Sequence, residues 1–322
     1  MPLELSETLV IGVSATALFD LSAAAEVFKK KSKSNPETAI AEYRKYMLEH
    51  EEEELLPGTA MPLVRSLLAL NKDQEDGEPA IVEVIVISRN SPETGYRVLR
   101  EIRRQKIDIT RSAFTAGEKS YRYLDAFYVD LFLTTNEEDA QEIANLNLCA
   151  AAIVKNPPNL EENLTDEQVR FAFDADAVIF SDESEVVNQE EGLSAFHENE
   201  DRKQDIPLNK GPHANLLLKL SKIRERLPGS LEYSPIRLAI FTARNSPAEM
   251  RVINTLRSWG IYVDKMFFLG GLQKSRFLKV FKPHIFFDDQ DGHLDSAAGD
   301  VPSAKVLYSK FSPLKALIDN SN

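Results

Sequence analysis

Apolar residues fall in short unbroken runs along the whole chain, separated by longer stretches in which apolar and polar positions alternate with a helical period. "LVIGV", "IVEVIVI", "DLFLT" and "CAAAIV" occupy the first half, and "RFAFDADAVIF", "IRLAIFT", "HIFFDD" and "AKVLYS" the second. Unbroken apolar runs bounded by turn residues are strands buried on both faces. Their alternation with helices predicts an α/β protein whose parallel sheets are covered on both sides. Residues 156–168, "NPPNLEENLTDEQ", hold two prolines, several acids and no apolar period, and read as a linker. The linker divides the chain into residues 1–155 and 169–322.

The two parts repeat each other. "SRNSP" at 88–92 and "TARNSP" at 242–247 each follow an apolar strand and lead into a helix. Ser followed by Pro starts a helix well, with Ser246 as N-cap, Pro247 as first helical residue and Glu249 completing a capping box. Upstream, "GVSATALFDL" aligns with "AFDADAVIFSD", placing Ser14 on Asp174 and Thr16 on Asp176. Downstream, Lys119 falls on Lys274, and Thr134 and Thr135 fall on Asp288 and Asp289. Ser88 and Lys119 are 31 residues apart, and Thr242 and Lys274 are 32. Even the long insertions correspond, "LLPGTAMPLVRSLLAL" with "PLNKGPHANLLLKLSKI". Matched positions in matched order indicate a duplication. Its copies differ in one respect: the second carries four carboxylates where the first carries four hydroxyls.

In a doubly wound sheet, ligands bind beyond the C-terminal ends of the strands. Asp174, Asp176, Thr242, Asp288 and Asp289 all stand at such ends, and Lys274 opens the helix between the last two strands. They should therefore meet in one crevice. Four carboxylates there repel one another and call for a counter-charge. Mg²⁺ suits one or two carboxylates together with waters and a phosphate oxygen. Thr242 offers a hydroxyl, and the helix after Pro247 offers backbone N–H groups and a positive dipole end, both suited to phosphate. Lys274 adds a fixed positive charge. The set fits phosphoryl transfer, where positioning and charge neutralisation supply most of the catalysis.

Charge and composition narrow the class. The net charge of −13 repels a continuous phosphate backbone, so no nucleic-acid partner is expected. No apolar run reaches the roughly 20 residues that span a bilayer, and no signal peptide is read at the N-terminus, so a cytoplasmic protein without a membrane partner is expected. The single cysteine, Cys149, lies in strand-like surroundings and reads as a core thiol. The five histidines show no ligand spacing. Arg244 either holds its turn or reaches the substrate phosphate.

"DADAV", Thr242, Lys274 and "DD" resemble motifs one to four of the haloacid dehalogenase (HAD) superfamily. More narrowly, "AFDADAVIFSDESE", "GLSAFHENE", "DIPLNKGP", "TARNSPAEMRVINTLRSWGI" and "FFLGGLQKSRFLKVFKPHIFFDDQ" resemble the cytosolic type I 5′-nucleotidases, as do "LVIGVSATALFDL" and "SRNSPETGYRVLREI" in the first half. The resemblance runs through nearly the whole chain. It implies two HAD-like, Rossmann-type halves, each with a helical cap-like insertion, the first half degenerate. It also implies Mg²⁺-dependent hydrolysis of nucleoside 5′-monophosphates, AMP above all. Asp174 would be the nucleophile that forms an aspartyl-phosphate, and Asp176 the general acid and then base. Asp174, the backbone carbonyl of Asp176 and the acidic pair would hold Mg²⁺, with Asp289 favoured over Asp288. The insertion from about 183 to 231 would close over the nucleoside. Rival readings are an HAD phosphatase or phosphotransferase acting on another small phosphate ester, a receiver-like signalling domain, and a non-catalytic nucleotide-binding protein. In a receiver the acidic pair precedes the acceptor, whereas here "DD" comes last. The first half is either a scaffold that supports the second half or a homo-oligomer, or a metal-free nucleotide effector site built on Ser88, Lys119 and the helix from Pro92.

Overall fold

The computed structural model describes residues 5–32, 35–72, 74, 78–156 and 168–321. The predicted linker therefore lies almost wholly outside the described residues. Ten strands run in chain order: β1 (Leu9–Val13), β2 (Val82–Ser88), β3 (Arg111–Phe114), β4 (Leu131–Thr134), β5 (Ala150–Val154), β6 (Val169–Phe173), β7 (Ile236–Thr242), β8 (Lys265–Phe268), β9 (Ile285–Asp288) and β10 (Ser303–Val306). They form a single sheet in the order β3-β2-β1-β4-β5-β10-β9-β6-β7-β8. The pairings within each set of five are parallel. The sets meet where β5 and β10 pair antiparallel, Ile153 opposite Lys305. The expected parallel sheets are thus joined edge to edge into one mostly parallel sheet.

Read outward from that seam, the two sets have the same strand order. Their loop hydrogen bonds also match pair by pair. Ser14 N donates to Leu133 O at 2.9 Å, and Asp174 N to Phe287 O at 2.8 Å. Asn136 N donates to Thr134 Oγ1 at 3.0 Å, and Gln290 N to Asp288 Oδ1 at 2.9 Å. Gly58 N donates to Leu18 O and Gly211 N to Ile179 O, each at 2.9 Å.

Alternation along the strands builds the core. Leu9, Ile11 and Val13 of β1 face the same way as Phe171 and Phe173 of β6, and all join one buried cluster that runs through both sets. Helix Met61–Ala69, from the first insertion, also packs on β6, and helix Ala214–Glu225, from the second, also packs on β1. The two sets therefore share this layer. On the other face the core is split. Val10, Ile85 and Phe132 gather in one cluster, and Ala172, Phe241 and Phe286 in another. Cys149 packs half-buried against the former, and burial pushes its thiol up to about 12. Among the described residues, no helix is long and apolar enough to cross a membrane.

Two local expectations differ from the structure. "RFAFDADAVIF" does not continue as a strand: β6 stops at Phe173, and residues 175–179 form one wide turn with Ala177 at φ 59°. In the twin turns, Ser91 caps its helix, Oγ accepting from Thr94 N at 3.2 Å. Ser246 does not. The Ser246–Pro247 peptide is cis, Ala248 N bonds back to Asn245 O at 2.8 Å, and the helix begins at Glu249.

Gly58 and Gly211 occupy matching points where an insertion returns under its turn. A Cβ on Gly211 would lie 2.3 Å from Phe180 O and 2.7 Å from Val178 O; one on Gly58 would lie 2.5 Å from Ala17 O. These neighbours are backbone and cannot rotate away. Gly211→Ala is expected to lower stability by about 1–3 kcal/mol, the usual effect of overpacking. A urea midpoint equal to that of the wild type would show that the turn relaxes freely.

Candidate active site

Adjacent strands bring the acids together. β6 lies beside β9, with Phe173 opposite Phe287, and beside β7 on its other edge. The residues that leave these strands, Asp174, Asp288, Asp289 and Thr242, therefore stand in a row, and all four are buried. Helix Lys274–Phe281 begins below them and sends up the Lys274 ammonium, 2.8 Å from Asp174 Oδ1 and 2.6 Å from Asp288 Oδ2.

Each carboxyl of the row has its own environment. Asp174 Oδ1 also accepts from Ala175 N at 2.7 Å. Burial pushes its carboxyl up to about 6, with Lys274 opposing and Asp288 adding to the rise. Asp288 is equally buried, but Lys274 and His293 outweigh burial and hold it below the usual carboxylate range. The Nδ1 of His293 lies 3.2 Å from both Asp288 oxygens. Asp289 receives the Tyr308 hydroxyl on Oδ2, while its buried Oδ1 has no partner among the described residues. Burial, then the charges of Asp174 and Asp288, lift its carboxyl well above the ordinary value. For Lys274, burial acts against the charge, and the two carboxylates overcome it.

Asp176 stands apart from this row, on the turn after Asp174. Its carboxylate is held by one guanidinium: Arg244 Nε reaches Oδ2 at 2.8 Å and Nη2 reaches Oδ1 at 2.6 Å. The third arm of Arg244, Nη1, donates to Glu200 of helix Leu193–Arg202. Arg244 therefore does more than hold its turn, and its donors are engaged by carboxylates. Thr242 Oγ1 accepts from Arg244 N at 3.1 Å. His197, in the insertion, lies with Nε2 3.1 Å from Asn245 Oδ1.

The structure thus gathers Asp174, Lys274, Asp288 and Asp289 at one point, with Thr242 and Asp176 beside them. Among the described residues, the ligand atoms of Asp174, Asp288 and His293 come within 4.8 Å of one another. His293 was not readable as part of a site: it becomes a neighbour of Asp288 only because helix Asp291–Ala297 turns back after β9. Glu200 closes the segment "GLSAFHENE" and Tyr308 lies in the run "AKVLYS", but nothing local to either marks its bond to Arg244 or Asp289.

The matching places in the first half are filled from within. Thr16 Oγ1 lies 3.1 Å from Ser14 Oγ and 2.5 Å from Thr135 Oγ1. Lys119 Nζ is 3.0 Å from Glu138 Oε1. Arg89, the twin of Arg244, forks Asp139 at 3.0 and 2.6 Å and reaches Glu138 at 3.0 Å. Both acids come from the first turn of helix Glu137–Leu146. Lys119, the lysine expected to receive a nucleotide, thus stands beside Glu138 in an exposed ion pair.

The profile of the family described as 5′-nucleotidase matches residues 1–312. Human cytosolic 5′-nucleotidase 1B is 30% identical over 295 residues, which are 90% of this chain and 47% of that protein. The chain thus spans about half the length of that relative. Among solved structures, histidinol dehydrogenase from Elizabethkingia anophelis aligns over 92% of this chain and 76% of its own, at 9% identity and a TM-score of 0.22. A likeness that low carries no argument.

Behind the site, the ring of His213 packs on Phe287 with centroids 4.8 Å apart. It is fully buried, both ring nitrogens lack partners among the described residues, and burial alone holds its pKa down at about 3. The folded protein therefore keeps His213 neutral, while the unfolded chain protonates it below about 6.5. Between those values the unfolded state binds more protons, so stability falls as pH falls, with a limiting slope of about 1.4 kcal/mol per pH unit. Urea unfolding at pH 6.5, 6.0, 5.5 and 5.0 should show this slope in the wild type and a flatter one in His213→Leu. Parallel curves would assign the pH dependence to other groups.

Proposed function

The chain belongs to the 5′-nucleotidase family, and from that premise we propose that it hydrolyses nucleoside 5′-monophosphates, AMP foremost, to nucleoside and phosphate. The observation that carries this reading is the buried cluster in which Lys274 joins Asp174 to Asp288, with Asp176 two residues beyond the first of them. The cited relative is named a cytosolic enzyme, which supports placing this chain in the cytoplasm.

The residues fit a divalent cation. Asp289 Oδ1 is buried without a partner among the described residues, and three carboxylates crowd around one lysine. Asp174, the backbone carbonyl of Asp176 and the Asp288–Asp289 pair would hold Mg²⁺, which when bound offsets charge on the phosphate and orients it. The chain's own residues do the rest. A carboxylate oxygen of Asp174 attacks phosphorus, forming the aspartyl-phosphate as the bond from phosphorus to the ribose oxygen breaks. Asp176 gives its proton to that leaving oxygen. It then takes one from the water that attacks the aspartyl-phosphate, releasing phosphate and restoring Asp174. Lys274 keeps Asp174 ionised for the attack. Thr242 and the backbone N–H groups after it receive the phosphate oxygens.

This reading treats the two sets of strands as duplicated HAD-like halves. Their shared strand order and paired loop hydrogen bonds support it. The first half, with its cations matched by Glu138 and Asp139, serves as scaffold for the second.

Two measurements follow. Phosphate release from AMP should require Mg²⁺ and stop with EDTA, and Asp174→Asn should fold yet show no measurable turnover. Retention of a substantial share of wild-type kcat by that variant would falsify the nucleophile assignment. A general acid contributes about 10²–10⁴-fold. Asp176→Asn should therefore slow the first-turnover release of adenosine from AMP by about that factor and that of p-nitrophenolate, whose leaving group needs no proton, far less; the later hydrolysis of the aspartyl-phosphate is common to both substrates. Equal slowing of both would remove Asp176 from the acid step.

A further inference from the structure

We infer that Glu200 is a positioning residue for Asp176: acting through Arg244 from the insertion, it sets the plane in which Asp176 presents its carboxyl to the leaving oxygen. The inference rests on the reading of Asp176 as general acid.

Asp176 sits on a turn, partly open to solvent, where a short side chain has torsional freedom. Proton transfer needs a heavy-atom separation of about 2.6–3.2 Å. A planar guanidinium that grips both oxygens removes that freedom, because two parallel hydrogen bonds fix the carboxylate plane. Arg244 grips Asp176 in this way, at 2.8 and 2.6 Å.

Arg244 must itself be fixed, and the insertion supplies the fixing. Its Nη1 donates to Glu200 Oε2, and its guanidinium carbon lies 5.3 Å from the ring centroid of Phe196 on the same helix as Glu200. Glu200 is fully buried. Its other oxygen, Oε1, accepts from Arg251 at 2.8 Å, Ser184 at 3.0 Å and Asn199 at 3.1 Å. Arg251 lies on the core helix Glu249–Ser258 and also reaches Glu183 at 2.7 Å, at the start of helix Glu183–Glu191 in the insertion. Charges therefore alternate in a chain from Asp176 through Arg244, Glu200 and Arg251 to Glu183. It runs from the end of β6 into two helices of the insertion, Leu193–Arg202 and Glu183–Glu191, through Arg251 of the core helix.

The fold does not need this routing. In the first half, Arg89 occupies the place of Arg244 and takes Asp139 and Glu138 from its own half, while Thr16, in the place of Asp176, bonds to Thr135. Only where a carboxylate stands at the second position of the turn is the arginine shared between that carboxylate and the insertion.

The test is rapid-quench measurement of first-turnover leaving-group release from AMP and from p-nitrophenyl phosphate in Mg²⁺, for Glu200→Gln, Arg244→Lys, Asp176→Asn and the double variant Asp176→Asn/Glu200→Gln, each first shown to be folded by circular dichroism. Glu200→Gln should slow first-turnover release of adenosine by about 10²-fold with the half-saturating AMP concentration little changed, and release of p-nitrophenolate much less. Arg244→Lys, which keeps the charge but cannot fork, should do the same and carries the test if Glu200→Gln fails to fold. In the Asp176→Asn background, Glu200→Gln should add no further selective loss. Equal slowing of both substrates by Glu200→Gln or Arg244→Lys, or a second selective loss in the double variant, overturns the inference alone. A wild type that releases no phosphate, or an Asp176→Asn variant that slows both substrates equally, overturns the underlying reading and the inference with it.

Discussion

Everything at the site depends on one buried ammonium. Moving a carboxylate out of water is costly by several kcal/mol, and the cost is met only by close, well-directed partners. Strand order places Asp174 and the Asp288–Asp289 pair side by side, so mutual repulsion adds to desolvation. Lys274 answers both, bridging the ends of β6 and β9 with a single charge. It leaves a remainder, visible in the unpartnered oxygen of Asp289. The crowding shows in the carboxyls of Asp174 and Asp289, both lifted above the ordinary carboxylate range, a state kept at some expense of stability.

The two halves show how the same backbone can carry opposite electrostatics. In the first, hydroxyls end the strands, and the acids sit on the adjoining helix, where they neutralise Lys119 and Arg89 and lie against a helix N-terminus that favours them. In the second, the acids end the strands and the helix after β9 offers His293. Several loop hydrogen bonds match between the two, so much of the difference lies in side-chain chemistry, alongside a longer turn before the helix in the second.

Much of this was legible in the chain. Eight of the ten strands announced themselves as unbroken apolar runs, because strands covered on both faces leave no polar positions. β3 and β8 did not: "RSAF" and "KMFF" are short, half-exposed edge strands whose pattern resembles a loop. The carboxylates, Thr242 and Lys274 were found because their order and spacing are local facts of sequence. The bonds of Arg244 were not, since Glu200 lies in an insertion whose folding no period predicts. The cap assigned to Ser246 failed for a related reason. Its twin at Ser91 does cap, but the turn at 242–248 carries one more residue, and the helix starts later.

The antiparallel seam between β5 and β10 has a consequence for how the chain can be divided. Five parallel strands standing alone would present two outer edges with unpaired N–H and C=O groups, and two such sheets would present four. Joining them at the seam leaves only β3 and β8 at the margins of the sheet. A fragment cut at the apparent linker would uncover β10, whose Ser303, Ala304 and Val306 are buried in the intact protein, as a ready template for pairing with other chains. Cut free of the first five strands, the half that bears the carboxylates would therefore carry an open edge, with self-association the expected result.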